Sequence, residues 1–159
     1  MSPQAYVAFD ASAALAFALN DEPLHTQAVA LVADLVKRRM RLCAPPLFES
    51  EADSVIRRRV HLGTLTEAEA ATTRQILAAL STQITYDIAT KDRAYAIAVQ
   101  YNQPRAYDAT YAAFAEARHI ELWTADERFY NSVNGSTVKQ RLTFVQFVGA
   151  FKPTTVNKK

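Results

Sequence analysis

Short apolar runs alternate along the chain with longer segments whose apolar positions recur at helical spacing. Four runs of strand length occupy residues 5–9, 41–45, 84–88 and 120–124, and a fifth lies at 142–147. The segments between them are typical of helices: 11–20, 22–40, 47–63, 66–80, 91–102 and 109–119. Strands that alternate with helices predict an α/β layered fold with a mainly parallel sheet of about four to five strands.

The ends of several helical segments carry their own signals. Pro23 stands near the start of the second predicted helix, whose last residues are basic and so match the helix dipole. Thr66 and Glu69 have the spacing of a capping box, and Gly63 closes the segment before them. These signals mark where helices begin and end, and the positions of the candidate functional residues below are given relative to those ends.

Length and composition predict one domain. The chain has 159 residues, half of them apolar and about a fifth charged, which is ordinary for a globular protein. We expect a single domain over residues 1–151 and a disordered tail over 152–159. The net charge of +2 is too small to indicate nucleic-acid binding by the molecule as a whole, so any such affinity requires local basic patches.

Several classes of protein are excluded by what the sequence contains. A single cysteine, Cys43, allows no internal disulfide and no cysteine-based zinc site, and it favours a reducing, cytoplasmic location. The first twenty residues have no basic start, and Asp10 interrupts their apolar run, so we expect neither a signal peptide nor a membrane span. The three glycines never cluster, which removes the phosphate-binding loops of nucleotide-binding proteins.

Carboxylates stand where the predicted strands end. Asp10 ends the first strand, and Asp126 lies two residues beyond the fourth. We expect both to reach the carboxyl edge of the sheet, where parallel α/β folds bind ligands. Glu51 lies in the helix that follows the second strand, and Asp108 is predicted to be the N-cap of its helix. The four acids are therefore expected to converge.

Each acid taken alone has a structural explanation as a helix cap or as a partner of a helix dipole. The set indicates more, because Asp10 lies between an apolar strand and an apolar helix, where an unpaired charge is costly. Several carboxylates without histidine or cysteine make an all-oxygen site that suits Mg²⁺ or Mn²⁺. Such a site can hydrolyse phosphodiesters by activating water and stabilising the leaving oxygen.

Four motifs in order resemble those of the PIN-domain nucleases, in particular the small bacterial toxins of the VapC type. The motifs span most of the chain from residue 8 to residue 129. They are "AFDASAAL" (8–15), "PPLFESEADSVIRR" (45–58), "YDATYAAFA" (107–115) and "LWTADERF" (122–129). Each motif alone is weak, whereas their ordered set is fairly specific.

The resemblance implies a fold, a site and partners. The fold is a three-layer α/β/α sandwich, and the activity is cleavage of RNA with Mg²⁺ or Mn²⁺. Many such toxins are dimers and are neutralised by a small antitoxin protein encoded beside them. Carried over residue by residue, the catalytic, metal-binding acids are Asp10, Glu51, Asp108 and Asp126, and the supporting hydroxyls are Ser12 and Thr124.

Two neighbouring acids compete with the assigned ones. Glu49 lies two residues before Glu51 and, at about 200° around a helix, on nearly the opposite face, so only one of them can face a metal. Glu51 matches the motif. Glu127 adjoins Asp126 but does not match the position of the family's additional acid, where this chain has Phe129, and it is left out of the ligand set.

Basic residues and an apolar helix suggest contacts with partners. Most arginines fall at predicted helix C-termini, where the dipole accounts for them. Arg58 shares a helix face with Glu51, and Arg105 precedes the third motif, so both are candidates for RNA contact. The segment 11–20 is apolar on nearly every face, from which we expect that a second copy or an antitoxin covers part of it.

Other functions remain open at the level of sequence. A PIN-like module can keep the fold and act as an RNA-binding or scaffold subunit without nuclease activity. A phosphatase or a DNA nuclease can use the same metal chemistry. The residues show carboxylates rather than the groove that selects a substrate, so they do not distinguish RNA from DNA.

Overall fold

The computed structural model describes residues 5–80, 83–84 and 88–153. Five strands form one sheet: β1 (Tyr6–Phe9), β2 (Arg41–Ala44), β3 (Gln83–Ile84), β4 (Leu122–Thr124) and β5 (Val145–Phe147). The helices are α1 (Ala11–Ala18), α2 (His25–Lys37), α3 (Leu47–His61), α4 (Glu67–Ala79), α5 (Ile88–Gln100), α6 (Tyr107–Arg118) and α7 (Glu127–Asn134). A 3₁₀ turn, Val148–Ala150, follows β5.

The strands pair in the order β3-β2-β1-β4-β5, and every pairing is parallel. In the register of the sheet, Val7 of β1 pairs with Leu42 of β2, and Phe9 pairs with Trp123 of β4. The chain first builds outwards from β1 to β3 and then crosses back to place β4 on the other side of β1. The order therefore reverses between β1 and β4, which is where open α/β sheets form their ligand-binding crevice.

Helices cover the sheet in two layers. Right-handed connections put the helices of the outward half on one face and those of the returning half on the opposite face. In agreement, α1 packs against α2, α3 and α4, whereas α5 packs against α6. The predicted three-layer α/β/α fold is thereby confirmed.

The position of α1 corrects one expectation. Most of its residues are buried, and Ser12, Phe17 and Ala18 are half-buried, because the protein's own α2, α3 and α4 surround the helix. Its apolar faces are thus satisfied within the fold, and they no longer indicate a partner. The sequence suggested a partner for α1 because periodicity cannot show how many neighbours a helix has within its own fold.

The predicted helix ends agree closely with the structure. Thr66 caps α4 by accepting a hydrogen bond from the backbone N–H of Glu69, whose carboxylate accepts one in return from the N–H of Thr66. Gly63 follows α3 with a φ of +71°, a left-handed conformation that only glycine adopts without strain. Both signals were correctly interpreted.

Several elements differ from the prediction: α2 is His25–Lys37 rather than 22–40, β5 is Val145–Phe147 rather than 142–147, and α7 was not among the predicted helices. The third strand is Gln83–Ile84 rather than 84–88, and Ile88 already begins α5; residues 85–87 lie outside the described part of the chain. A short apolar run fits a strand and a helix start equally well. Of the predicted tail, residues 154–159 lie outside the described part of the chain. Of the helices in the described ranges, none is both long and apolar enough to cross a membrane.

Candidate metal centre

Asp10 is buried at the carboxyl end of β1, where it begins α1. Its side chain is only 3% exposed. The carboxylate oxygen Oδ1 accepts hydrogen bonds from the backbone N–H of Ala13 at 2.8 Å and from the hydroxyl of Ser12 at 2.7 Å. Asp10 is therefore the N-cap of α1, and the cap holds one carboxylate oxygen in a fixed position.

Burial makes the charge of Asp10 costly. Desolvation raises the pKa of this carboxyl to about 7, although the hydroxyls of Thr124 and Ser12 and the N–H of Ala13 act in the opposite direction. The nearby charge of Asp108 raises the pKa further. Hydrogen bonds alone thus do not compensate for the loss of water, and a cation is the kind of partner that does.

Asp126 is tied to Asp10 through two hydroxyls. Its side chain caps α7 by accepting a hydrogen bond from the N–H of Phe129 at 3.0 Å. Its own N–H donates to the hydroxyl oxygen of Thr124 at 3.0 Å, and that hydroxyl lies 3.3 Å from the hydroxyl of Ser12. The ends of β1 and β4 are fastened together here, which places the two supporting hydroxyls between the two aspartates.

Asp108 reaches the site from α6, but not as the predicted N-cap. The N-cap is Ala106, and Asp108 is the second residue of the helix, with no capping hydrogen bond from a side chain. The sequence was misread because Asp108 follows the turn after Pro104 by a few residues, and the helix begins two residues earlier than expected. In the first turn the carboxylate is not used for capping, which leaves it available to a ligand.

The surroundings of Asp108 show that three more charges lie near it. Desolvation is the largest effect and raises its pKa to about 6. The negative charges of Asp126 and Glu51 raise it further, and Arg128 lowers it. Asp108 is thus the point at which the acids from separate elements meet, since it interacts electrostatically with Asp10 as well.

Glu51 is held by a buried tyrosine. The hydroxyl of Tyr111, a fully buried residue of α6, donates a hydrogen bond to Oε2 of Glu51 at 2.8 Å. Burial and the adjacent carboxylate raise the pKa of Tyr111, so it remains a neutral donor. Glu49 instead is exposed and lines a groove between α3 and α4. The structure thus brings Glu51, and not Glu49, towards the other acids.

The donor set fits a hard divalent cation, although the side chains are not arranged around one. In the described part of the chain, no group of three or more acidic, histidine or cysteine side chains already has metal-binding geometry. Like charges repel, and both Asp10 and Glu51 direct an oxygen to a hydroxyl donor. The converging groups are carboxylate and hydroxyl oxygens, the type of ligand that hard divalent cations prefer.

Two functional candidates escaped the sequence analysis. Tyr111 lies three residues after Asp108, so the two share a side of α6, and this spacing was the available signal. Arg128 lies in the first turn of α7, inside the fourth motif (122–129), where an arginine was interpreted as an ordinary surface residue. Its effect on Asp108 depends on tertiary proximity and had no signal in the sequence.

The predicted RNA-contacting arginines are not part of the cluster. Arg58 is exposed and lines a shallow groove with other residues of α3, including Arg57 and His61. Arg105 is exposed just ahead of α6. Neither affects the pKa of Asp10 or Asp108 appreciably. Both arginines therefore lie on the surface outside the cluster of acids.

Comparisons with known proteins agree on the fold. The family model "PIN domain" matches residues 7–133. The protein PAE2754 from Pyrobaculum aerophilum, known from a crystal structure, is similar in fold with a TM-score of 0.61, at 23% sequence identity over 92% of this chain and 85% of that chain. The comparison with curated proteins gave no significant match.

Proposed function

Since the chain belongs to the PIN domain family, whose model matches residues 7–133, we propose that it is an endoribonuclease that uses Mg²⁺ or Mn²⁺. PIN domains are generally metal-dependent nucleases, and we infer in addition that the substrate is RNA and the cation Mg²⁺ or Mn²⁺. The observation that carries it is the meeting of Asp10, Glu51, Asp108 and Asp126 at the reversal of strand order.

The protein's own residues prepare the centre. Ser12 and the N-cap geometry of α1 fix one oxygen of Asp10, and Tyr111 fixes one oxygen of Glu51. The remaining carboxylate oxygens and those of Asp108 and Asp126 would hold the cation. The chemistry that a bound divalent cation supplies is activation of the attacking water and stabilisation of the leaving oxygen.

Substrate binding needs positive charge near this acidic centre. Arg128 is close enough to lower the pKa of Asp108, so it brings a positive charge near the place where a phosphate would come. Guanidinium groups bind phosphate oxygens in a bidentate manner. We assign Arg128 to the cleaved phosphate, and Arg58 and Arg105 to phosphates of the flanking RNA.

The toxin role is part of the same proposal. The order and spacing of the four motifs resemble those of VapC-type toxins, and a small antitoxin protein is accordingly the proposed partner, with a homodimer as the proposed assembly. With α1 covered by the protein's own helices, we assign the antitoxin to the groove between α3 and α4, whose lining includes Phe48 and Leu77.

The direct test is cleavage of a mixed pool of end-labelled RNA and single-stranded DNA oligonucleotides. We expect cleavage of RNA with Mg²⁺ or Mn²⁺, none with EDTA, and DNA cut at least about a hundredfold more slowly. Equal cleavage of both pools would replace the RNA assignment by a general nuclease, and cleavage of DNA alone would replace it by a DNA nuclease. A folded protein that cuts neither pool would favour the scaffold function.

A further inference from the structure

An apolar cavity opens at the same edge of the sheet as the carboxylates, beside them but distinct from them. Its volume of about 290 Å³ is at the small end of the range for ligand sites. Its described wall combines Pro45 and Pro46, which follow β2, with residues 90–95 of α5 and with one side of α6 from Ala106 to Phe114. Pro45 and Pro46 follow the carboxyl end of β2, and Ala106 is the N-cap of the helix that carries Asp108, so this part of the cavity lies at the same edge as the candidate metal centre.

The cavity and the acids are separated by about one helix. Ala106 and Thr110, which line the cavity, flank Asp108 on the first turns of α6. Residues two apart on a helix point to nearly opposite sides, so Asp108 faces the acids while its neighbours face the cavity. A helix is about 10 Å across. A single-stranded segment with one phosphate at the acids would have to span about this width to place a base in the cavity.

The lining of the cavity matches a nucleotide better than a purely apolar ligand. Tyr95 is 70% exposed at the cavity and presents a ring on which a base can stack. Phe114, which is buried, adds a second aromatic residue to the lining. Lys91 is the only charged side chain among the described residues that line it. An apolar chamber with a cation at its wall suits a flat ring attached to a phosphate.

Thr90 adds a polar group without a partner. The residue lines the cavity, and its hydroxyl oxygen is buried without a hydrogen-bond partner among the described residues. A buried hydroxyl in this state is costly, and a ligand that supplies a partner removes the cost. Threonine in a helix has two accessible χ1 rotamers, so the hydroxyl can turn towards a ligand in the cavity.

We propose that this cavity binds one base of single-stranded RNA beside the cleaved bond, with the base stacked on Tyr95 and hydrogen-bonded to Thr90 and a phosphate held by Lys91. The inference rests on the proposed ribonuclease function. It adds an explanation of how the enzyme would prefer RNA with a particular base beside the cleaved bond. Single-stranded RNA is commonly recognised by stacking of a splayed base and by hydrogen bonds to its edge.

The test is binding without catalysis. Fluorescein-labelled RNA hexamers of each base (rA, rC, rG and rU) are titrated with the full chain in EDTA and followed by fluorescence polarisation. Tyr95→Ala should weaken every hexamer by about tenfold through the loss of stacking. Thr90→Val keeps the shape of the side chain and should weaken the best-bound hexamer by about threefold to tenfold.

Two control variants match these substitutions. Val99→Ala truncates another exposed apolar residue of α5, one turn after Tyr95. Thr73→Val removes a buried hydroxyl of α4 that does not line the cavity. Both should bind the hexamers as the wild type does. The folding of Thr90→Val is checked by thermal unfolding, where removal of an unpartnered buried hydroxyl is expected to leave the midpoint unchanged or raised.

Three results would overturn the base-binding site. One is wild-type affinity in both Tyr95→Ala and Thr90→Val; another is no binding of any hexamer by a preparation that cleaves the mixed RNA pool once Mg²⁺ or Mn²⁺ is supplied. The third is a change of sedimentation mass in Tyr95→Ala with RNA affinity unchanged, which would make the cavity an interface between copies. Hexamers that bind through Tyr95 while nothing is cleaved would instead contradict the proposed nuclease and leave the base site supported.

Discussion

Asp108→Asn is expected to reduce RNA cleavage by about 10²- to 10³-fold while the protein stays folded. The substitution keeps the size of the side chain and removes one negative charge from the point where Asp10, Glu51 and Asp126 act together. Losses of this size are typical when one electrostatic group is removed from a reacting centre. No stability penalty is expected, since Asp108 caps nothing and its charge is opposed by its neighbours. Initial cleavage rates with Mn²⁺ measure the effect.

Glu127→Gln is the matched control, because Glu127 adjoins Asp126 but is exposed and is not in the proposed ligand set. It removes the same charge from the same end of the sheet and should retain cleavage within about threefold, as expected for an exposed charge acting only through long-range attraction. Equal losses in the two variants would mean that net charge at this edge, rather than a ligand role of Asp108, controls the reaction.

Asp10→Asn is expected to stabilise the metal-free protein, with an effect that grows with pH. The carboxyl has a pKa near 7 in the folded state and near 4 in the unfolded state, so the folded state binds more protons between these values. The free energy of unfolding therefore falls as pH rises from about 4 to about 7. Because the two pKa values differ by about three units, the free energy of unfolding is lower by up to about 4 kcal/mol at pH 7 or above.

Asparagine avoids this cost because it stays neutral and still offers an oxygen to the N–H of Ala13. For a chain of this length the difference corresponds to a rise in Tm of roughly 10 °C. Thermal unfolding in EDTA at pH 5 and pH 8 measures it. Asp92→Asn on the exposed surface of α5 is the control and should change neither midpoint. A wild-type Tm that does not fall with pH, or an Asp10→Asn protein that is less stable at pH 8, would contradict this account of Asp10.

Removal of a carboxylate is thus expected to lower activity in Asp108→Asn and to raise the stability of the metal-free protein in Asp10→Asn. A buried carboxylate that destabilises the metal-free protein is retained at the end of β1. Such costs are characteristic of functional sites, where local rules of stability are broken. A cation that binds the folded state and not the unfolded state would restore this stability by mass action. Saturating Mn²⁺ should therefore raise the Tm of the wild type more than that of Asp10→Asn.

The sequence sufficed for the fold because its signals are local. The alternation of apolar runs with capped helices predicted the layers, and residues such as Thr66 and Gly63 marked helix ends through backbone chemistry that neighbours do not alter. It also placed Asp10 and Asp126 at one edge, since parallel strands end on the same side. Glu51 could be separated from Glu49 only by resemblance, and the hydrogen bond from Tyr111 now gives a structural reason.

What the sequence could not supply depends on contacts between distant segments. The apolar composition of α1 suggested a partner, but the number of helices around it is a property of the packed fold. The influence of Arg128 on Asp108 joins α7 to α6, and the cavity at Thr90 joins α5, α6 and the loop after β2. No spacing along the chain encodes these relations, because they arise when β4 crosses back beside β1.

Metal binding by the carboxylates is the central claim, and a calorimetric titration with Mn²⁺ at pH 7.5 tests it most directly without any substrate. The wild type is expected to bind at least one Mn²⁺, and Asp108→Asn and Glu51→Gln are each expected to weaken binding by about tenfold or more. Glu49→Gln, which changes the same residue type two positions away on the exposed face of α3, should bind as the wild type does. Absence of Mn²⁺ binding by folded wild type, or equal affinity in all these proteins, would contradict the claim that these acids form one metal site.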